Sequence, residues 1–191
     1  MPQSDNQLVD EIISGNESAM EILVKRHYEM VYSFICRYVG EYNTSCDLTQ
    51  DTFIKVMKNI GKYNHKHGEF RNWILKIAVN TSKDYFKSSA YKQRNQSDDV
   101  DNCHLKSPDD VIHLLDKKQE RQEIKEAVDE LPTLQREAII LKYFHDLKIR
   151  EISKMTGEKE ATIKSRIFNG VKNLKKRLGG EGADEKRRIA R

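Results

Sequence analysis

Residues 69–94 read EFRNWILKIAVNTSKDYFKSSAYKQR, and their spacing predicts the helix around which the chain is organised. Apolar side chains recur three, four, seven and eight positions after the first one, which is the spacing of one stripe along an α-helix. The stripe comprises Phe70, Trp73, Ile74, Ile77, Ala78 and Tyr85. Because Trp73 belongs to this stripe, we expect the only tryptophan of the chain to lie in the core.

Polar side chains occupy another side of the same helix. They follow one another at intervals of three or four residues: Asn72, Lys76, Asn80, Lys83 and Lys87. Six basic residues outnumber two acidic ones in residues 69–94, so this side is suited to contact with an anion. A solvated polar face on an ordinary core helix explains the same pattern, and the stretch alone does not separate the two interpretations.

The composition favours small helical units with a large surface. The chain has 191 residues, of which 34% are charged and 37% hydrophobic, with a net charge of +4. This length is enough for one domain or for two small ones. No apolar run approaches the roughly 18 residues that span a bilayer, and the first residues lack the pattern of a signal peptide. We therefore expect a soluble, cytoplasmic protein.

The sequence offers no set of residues suited to covalent chemistry. Its three cysteines, Cys36, Cys46 and Cys103, are an odd number without CxxC pairing and predict neither a disulfide framework nor a zinc site. The histidines His65, His67 and His104 lie in polar stretches without a matched second pair of metal ligands. We find no nucleophile with a base and no Gly-rich phosphate loop. The sequence therefore predicts no enzyme activity, no metal or other cofactor and no small-molecule substrate.

Three predicted helices precede residues 69–94. The first covers residues 8–13, and the second begins after the N-cap Asn16 and reaches Val39, before Gly40. The third runs from near Ser45 to residue 60, before a glycine. The predicted buried residues are Ala19, Ile22, Leu23, Met30, Val31, Phe34, Ile35 and Tyr38 in the second helix, and Phe53, Val56, Met57 and Ile60 in the third. Four such helices predict one helical domain over residues 1–94.

Residues 95–118 predict an acidic linker. Six acidic residues and one basic residue occur between positions 95 and 116, together with serines, asparagines and a proline. Such a segment usually only solvates the connection between two domains. It is also able to mimic nucleic acid and to occupy a basic channel.

Residues 119–178 predict a second helical domain, followed by a disordered tail over residues 179–191. Helical patterning resumes at position 117 and breaks at Pro132. Predicted core residues after this break are Ala138, Leu141, Tyr143 and Phe144. A short helix is then lined by Ile149, Ile152 and Met155, and a longer one by Ile163, Ile167, Val171, Leu174 and Leu178.

A helix-turn-helix is the predicted structure of this last segment. Gly157 permits a tight turn between the short and the long helix. Seven basic residues outnumber two acidic ones in residues 158–178, which suits insertion of the long helix into a DNA major groove. An ordinary helical hairpin is the alternative.

The two predicted domains resemble those of bacterial sigma factors. The segments DLTQDTFIKVMKNIGKYN (residues 47–64) and FRNWILKIAVNTSKDYFK (residues 70–87) resemble the second conserved domain. The segments LPTLQREAIILKYFHDLKIREISKMTG (residues 131–157) and ATIKSRIFNGVKNLKKRL (residues 161–178) resemble the fourth. The spacing leaves no room for the third domain, as in the extracytoplasmic-function group. This resemblance implies an all-α fold of two domains with a flexible linker, and a role in promoter recognition, strand melting and transcription initiation.

The resemblance implies three groups of contact residues and one regulator. Core RNA polymerase would bind Asp47, Gln50, Asp51 and Lys55. The −10 promoter element, melted and with one base flipped out, would bind Asn72, Lys76, Asn80, Lys83, Lys87 and Tyr91, with Asn80 at the border of the base pocket. The duplex −35 element would bind Thr162, Lys164, Ser165, Arg166, Phe168, Asn169 and Lys172 in its major groove. An anti-sigma factor, often membrane-anchored in such families, is the expected regulator.

Several positions depart from the family's pattern. Glu158 stands in place of the usual apolar residue, Ser153 in place of Ala, and Ala161 in place of Gly. Asn169-Gly170 replaces Arg-Ala. Since Asn prefers adenine edges and Arg prefers guanine, the −35 preference is expected to shift. Gly170 is expected to loosen its helix by about 1 kcal/mol relative to Ala.

The sequence is also compatible with two other functions. A free-standing helix-turn-helix regulator would bind duplex DNA unaided, usually as a dimer on a palindrome. It would leave the amide and lysine side of residues 69–94 unexplained. A helical adaptor protein would use its basic faces to bind acidic partners.

Overall fold

The computed structural model describes residues 3–88 and 114–179, with the side chains of the second range described from residue 122 onward. The chain divides into two compact units, Met1–His104 and Leu105–Arg191. Both are built from helices, which confirms the predicted all-α fold class. Within the described ranges no helix is long and apolar enough to cross a membrane.

The first unit contains α1 (Asp5–Ile13), α2 (Glu17–Val39), α3 (Tyr42–Asn59) and α4 (Phe70–Lys87), with two short 3₁₀ helices, Ile60–Lys62 and His65–His67, before α4. Local caps set both ends of α2, as predicted. The Asn16 side chain accepts a hydrogen bond from the Ser18 backbone amide at 3.1 Å. Gly40 ends the helix in the left-handed conformation, with φ of 85°.

Helix α3 begins earlier than the predicted start at Ser45. The carboxylate of Glu41 caps the helix by accepting a hydrogen bond from the Thr44 backbone amide at 3.1 Å. The buried hydroxyls of Ser45, Thr49 and Thr52 donate to carbonyl oxygens four residues earlier, at 2.6, 2.7 and 2.7 Å. Because these hydroxyls are satisfied by their own helix, α3 buries a polar side without leaving it unpaired.

Helix α4 buries part of the predicted stripe, namely Phe70, Ile74 and Ala78, and further residues beside it. Leu75 and Val79 lie outside the predicted stripe, and both are completely buried. Trp73 and Ile77 belong to that stripe, but they are only half-buried. Since α4 contacts both α2 and α3, its buried side is wider than one stripe and is turned toward Leu75 and Val79.

Two predicted core residues of the first unit are exposed. Ile22 in α2 is 44% exposed and Met57 in α3 is 53% exposed, because each lies at the edge of the apolar side of its helix. Of the cysteines, Cys46 has a free thiol and Cys36 is buried. Cys103 lies outside the described residues.

The second unit contains α5 (Leu114–Asp129), α6 (Thr133–Ile139), a π-helical segment (Ile140–Phe144), α7 (Ile149–Thr156) and α8 (Glu160–Arg177). Helix α5 begins before the predicted end of the linker at residue 118. Residues 95–113 of that predicted linker and residues 180–191 of the predicted tail lie outside the described residues.

The π-helical segment corrects the predicted core of the second unit. The backbone amide of His145 donates to the carbonyl oxygen of Ile140 at 3.2 Å, five residues earlier rather than four. The wider turn shifts the phase of the residues after it. Tyr143 and Phe144, which were predicted to be core residues, are 60% and 41% exposed, while Leu141 and Leu147 are buried.

Helix α8 approaches α6 closely at Gly170. A Cβ atom at this position would lie 2.8 Å from Cγ1 and 3.2 Å from Cδ1 of Ile139. Ile139 is itself buried, so it has little room to move away. The expectation that Gly170 mainly loosens its helix therefore omits its effect on packing, since the absent side chain lets the two helices meet.

We predict that Gly170→Ala lowers the free energy of unfolding. Helix propensity favours Ala by about 1 kcal/mol, but overpacking against Ile139 costs about 1–3 kcal/mol. Urea unfolding of the full chain, followed by circular dichroism, measures the difference. Gly61→Ala is the matched control, because a Cβ atom there meets nothing within 4 Å. An unfolding free energy that rises by about 1 kcal/mol in Gly170→Ala would contradict the close contact.

Candidate functional site

The predicted polar side of α4 faces solvent in part. Lys76, Asn80 and Lys87 are exposed, and Lys83 is half-buried. Asn72 was expected to be exposed, but it is half-buried because the buried side of α4 is turned toward it. Tyr91 lies outside the described residues. The exposed part of this surface therefore presents two lysines and one amide along the same side of the helix.

Trp73 belongs to a partly exposed aromatic cluster at the start of α4. Its ring centroid lies 5.5 Å from that of Tyr63 and 5.5 Å from that of Phe70. The Tyr63 hydroxyl donates to the side-chain oxygen of Asn6 at 3.0 Å, which ties the segment before α4 to α1. The cluster fixes the connection between α3 and α4 beside the polar side of α4.

A cavity of about 480 Å³ lies at this end of α4. Its lining comprises Ser4, Asp5, Asn6, His27, Tyr63, His65, Gly68, Glu69, Phe70 and Arg71. Asn80 is not among these residues. In the wall of the cavity, the Asp5 carboxylate binds Arg26 at 2.6 Å and His27 Nε2 at 2.9 Å. Burial lowers the pKa of His27 below its ordinary value, against the opposing effect of the Asp5 carboxylate.

The four predicted polymerase contacts of α3 separate into two groups. Asp47, Gln50 and Asp51 are exposed along one ridge. Lys55 instead is half-buried, with its Nζ atom 3.1 Å from the Thr81 hydroxyl and 4.0 Å from the Asp84 carboxylate of α4. The structure therefore brings the Lys55 amine near α4, with 44% of the side chain exposed.

Apolar residues that the sequence reasoning missed extend the same ridge. Ile54 follows Gln50 by four positions and Asp51 by three, and it is 46% exposed. Met57 lies one turn further along and is 53% exposed. A ridge that combines carboxylates, an amide and exposed apolar side chains is suited to binding a protein partner. The sequence contained a signal for these exposed residues, because the apolar side of α3 is too wide to be buried completely against the neighbouring helices.

The second unit has the helix-turn-helix geometry that the sequence predicts. Gly157 adopts φ of 76° between α7 and α8. The Ser153 hydroxyl donates to the Glu158 carbonyl oxygen at 2.6 Å and so closes the turn. Ile152 and Ile163 are buried on either side of the turn. The angle between α7 and α8 is therefore held by packing and by one partly buried hydrogen bond.

Five of the seven predicted −35 contacts are exposed on α8: Lys164, Ser165, Phe168, Asn169 and Lys172. Phe168 is 71% exposed, which is a large solvated area for an aromatic ring on a folded helix. Thr162 is half-buried. Arg166 is also half-buried, and its Nη2 atom lies 2.7 Å from the Glu158 carboxylate. The outer side of α8 thus offers cations, hydroxyl and amide groups, and one apolar ring, which are the groups that contact phosphates and base edges.

Among the residues that the structure describes, no group of three or more His, Cys, Asp and Glu side chains is arranged to hold a metal ion.

Comparison with known protein families finds two matches, one in each unit. Residues 23–91 match the family described as Sigma-70 region 2. Residues 121–174 match the family described as Sigma-70, region 4. The first match contains the polar side of α4 and the ridge of α3, and the second contains the helix-turn-helix.

Curated relatives are similar over most of this chain. An ECF RNA polymerase sigma factor SigK of Mycobacterium sp. (strain JLS) is 31% identical over 176 residues, which are 90% of this chain and 89% of the relative. The ECF RNA polymerase sigma factor BldN of Streptomyces coelicolor is 27% identical over 175 residues, and the chain spans 65% of that relative's length.

Solved structures share the fold. CnrH, in complex with the cytosolic domain of CnrY, is 20% identical with a TM-score of 0.66, and the match covers 93% of this chain and 99% of CnrH. The sigma factor RpoE of Bartonella quintana, in complex with the anti-sigma factor NepR, is 19% identical with a TM-score of 0.66, and the match covers 83% of this chain and 96% of RpoE.

Proposed function

The chain belongs to the extracytoplasmic-function sigma factors of the sigma-70 family, and we propose on that basis that it directs core RNA polymerase to promoters and opens them. The observation that most supports this proposal is that one chain contains two helices with exposed polar and basic side chains, each suited to a different form of DNA. Helix α8 belongs to a helix-turn-helix suited to duplex DNA, and α4 exposes lysines and an amide beside an aromatic cluster. A sigma factor needs both surfaces, and a simple repressor needs only the first.

The exposed side of α4 is the proposed contact with the melted −10 strand. Lys76 and Lys87 would neutralise backbone phosphates, and Asn80 between them would form hydrogen bonds with an unpaired base. The cavity near Tyr63 is a suitable receptor for a flipped base, since aromatic rings supply a stacking surface. Because Asn80 does not line that cavity, we propose that it contacts the strand beside the captured base.

The outer side of α8 is the proposed contact with the duplex −35 element. Lys164 and Lys172 would bind phosphates and set the register of the helix. Ser165 and Asn169 would reach base edges, and Phe168 has the apolar ring that suits a thymine methyl group.

The ridge of α3 is the proposed contact with core polymerase. Asp47, Gln50 and Asp51 supply polar contacts, and Ile54 and Met57 add apolar area that a partner would cover. Lys55 would act indirectly, by holding α3 to α4. We propose an anti-sigma factor as the regulator, by analogy with RpoE, which was solved with one. A protein with these partners would work in the cytoplasm and would perform no covalent chemistry of its own.

Transcription with purified core polymerase tests the function directly. We expect the full chain to give promoter-dependent transcripts and open complexes on a promoter from its own regulon, found by sequencing transcripts after overexpression. If the holoenzyme forms no open complex on any such promoter, while the free chain binds duplex DNA tightly, the chain is a free-standing regulator. If neither reaction occurs and the chain binds acidic proteins, it is an adaptor.

We predict that Asn80→Ala impairs promoter melting and leaves binding to core polymerase unchanged. The exposed amide lies on α4, whereas the proposed polymerase contact lies on α3. Permanganate reactivity of unpaired thymines measures melting, and co-purification measures binding to core polymerase. Asn43→Ala, which removes an exposed amide from the first turn of α3 in the same unit, is the control and should melt promoters normally. Equal losses of melting and of core binding in Asn80→Ala would rule out the specific role.

We predict that Asn169→Arg shifts the −35 preference toward guanine at one position. An arginine forms two hydrogen bonds with guanine, and discrimination by such a pair amounts to about 1–3 kcal/mol. Selection of promoters from a randomised −35 library, with holoenzyme, gives the sequence profile of each variant. Asn169→Gln is the control, because Gln shares the adenine preference of Asn. A profile of Asn169→Arg identical to that of the parent protein would show that position 169 does not meet a base.

A further inference from the structure

Arg166 differs from its neighbours on the outer side of α8. Lys164 and Ser165 precede it, and Phe168 and Asn169 follow it, all of them exposed. The Arg166 side chain is only 15% exposed, and its Nη2 atom lies 2.7 Å from Oε1 of Glu158. A guanidinium in the middle of a DNA-facing helix is therefore already bound to a carboxylate of the same protein.

The fold holds Glu158 in place for this ion pair. Glu158 follows the left-handed Gly157, which turns the chain from α7 into α8. Its carbonyl oxygen accepts the hydrogen bond from the Ser153 hydroxyl at 2.6 Å, so its backbone is fixed to α7. Its carboxylate then reaches over the first turns of α8 to Arg166. The Ser153 hydroxyl thus fixes the backbone of the residue whose carboxylate pairs with Arg166.

The ion pair changes what Arg166 offers to DNA. A cation contributes to DNA binding by replacing counterions at a phosphate. A guanidinium that a carboxylate neutralises displaces no counterion unless the pair first separates, and the pair is shielded from solvent on the arginine side. The Glu158 side chain, which is 39% exposed, also presents a negative charge near the same surface.

We propose that Glu158 is a positioning residue that keeps Arg166 in an ion pair within the protein and so withholds one cation from the phosphates of the −35 element. The inference rests on the proposed function, since it assigns roles within the same DNA-binding surface. Sequence recognition then depends more on the exposed groups of α8 and less on a general attraction to DNA.

The salt dependence of promoter binding by the holoenzyme tests this role. The logarithm of the binding constant falls with the logarithm of salt concentration by about 0.9 for each phosphate neutralised in duplex DNA. We expect Glu158→Ala to steepen this slope by about 0.9 and to strengthen binding at low salt. Glu160→Ala is the matched control, because it removes the same charge from an exposed position in the first turn of α8. Its slope should change less than that of Glu158→Ala.

A second comparison, in protein that lacks the Arg166 side chain, distinguishes release of Arg166 from the loss of a negative charge. In Arg166→Ala holoenzyme, the further change Glu158→Ala should leave the slope unchanged. Equal slopes for Glu158→Ala and Glu160→Ala, or a steeper slope that persists without Arg166, would overturn the inference. The proposed function would remain in either case, because it fails only if the parent holoenzyme itself binds and opens no promoter.

Discussion

Burial of one broad side of α4 is the constraint on which the first unit depends. Ile74, Leu75, Ala78 and Val79 are all completely buried, and the helix contacts both α2 and α3. Burial of one large apolar side chain contributes about 1.5–3 kcal/mol. A rotation of α4 that exposed two of them would remove a large part of the roughly 5–15 kcal/mol that stabilises a typical domain. The helix therefore has one stable rotation, and this rotation decides which polar side chains reach solvent.

Local signals in the sequence were sufficient for the helices and several of their ends. Asn16 acts through a hydrogen bond to the adjacent turn, and Gly40 and Gly157 act through their own backbone conformation. Their roles were therefore predictable without knowledge of the fold. The rotation of α4 was not predictable, because it depends on two partner helices at once. The outward direction of Tyr143 and the close contact at Gly170 likewise depend on a π-helical turn and on a side chain of another helix.

The charge pattern of the candidate site was predictable from the sequence, but the pairing of individual charges within the protein was not. Lys55 and Arg166 both belong to the predicted contacts, and each lies near a carboxylate of the protein, Lys55 at 4.0 Å and Arg166 at 2.7 Å. Their partners are Asp84 and Thr81 on another helix, and Glu158 eight positions earlier. Pairing rules within one helix reach only three or four positions, so neither contact follows from helical spacing. The exposed apolar residues of α3 were missed for a related reason, since exposure depends on where the neighbouring helices end.

Helices α4 and α8, which carry the two proposed DNA contacts, are held by different kinds of contact. Helix α4 has seven buried residues, whereas α8 has only Ile163 and Gly170 among its described positions. The orientation of α8 depends on its packing against α5, α6 and α7 and on side-chain contacts along its length. These contacts are the Glu158–Arg166 pair, Gly170 against Ile139, and the bonds Asn173–Gln135 at 2.9 Å and Arg177–Glu130 at 2.8 Å. The last pair is exposed and contributes little by itself. Because a recognition helix contacts bases only at one angle in the groove, residues that never touch DNA are able to alter specificity by changing that angle. Divergence of promoter preference in such a protein thus has two physical routes, through the groups that meet bases and through the contacts that orient them.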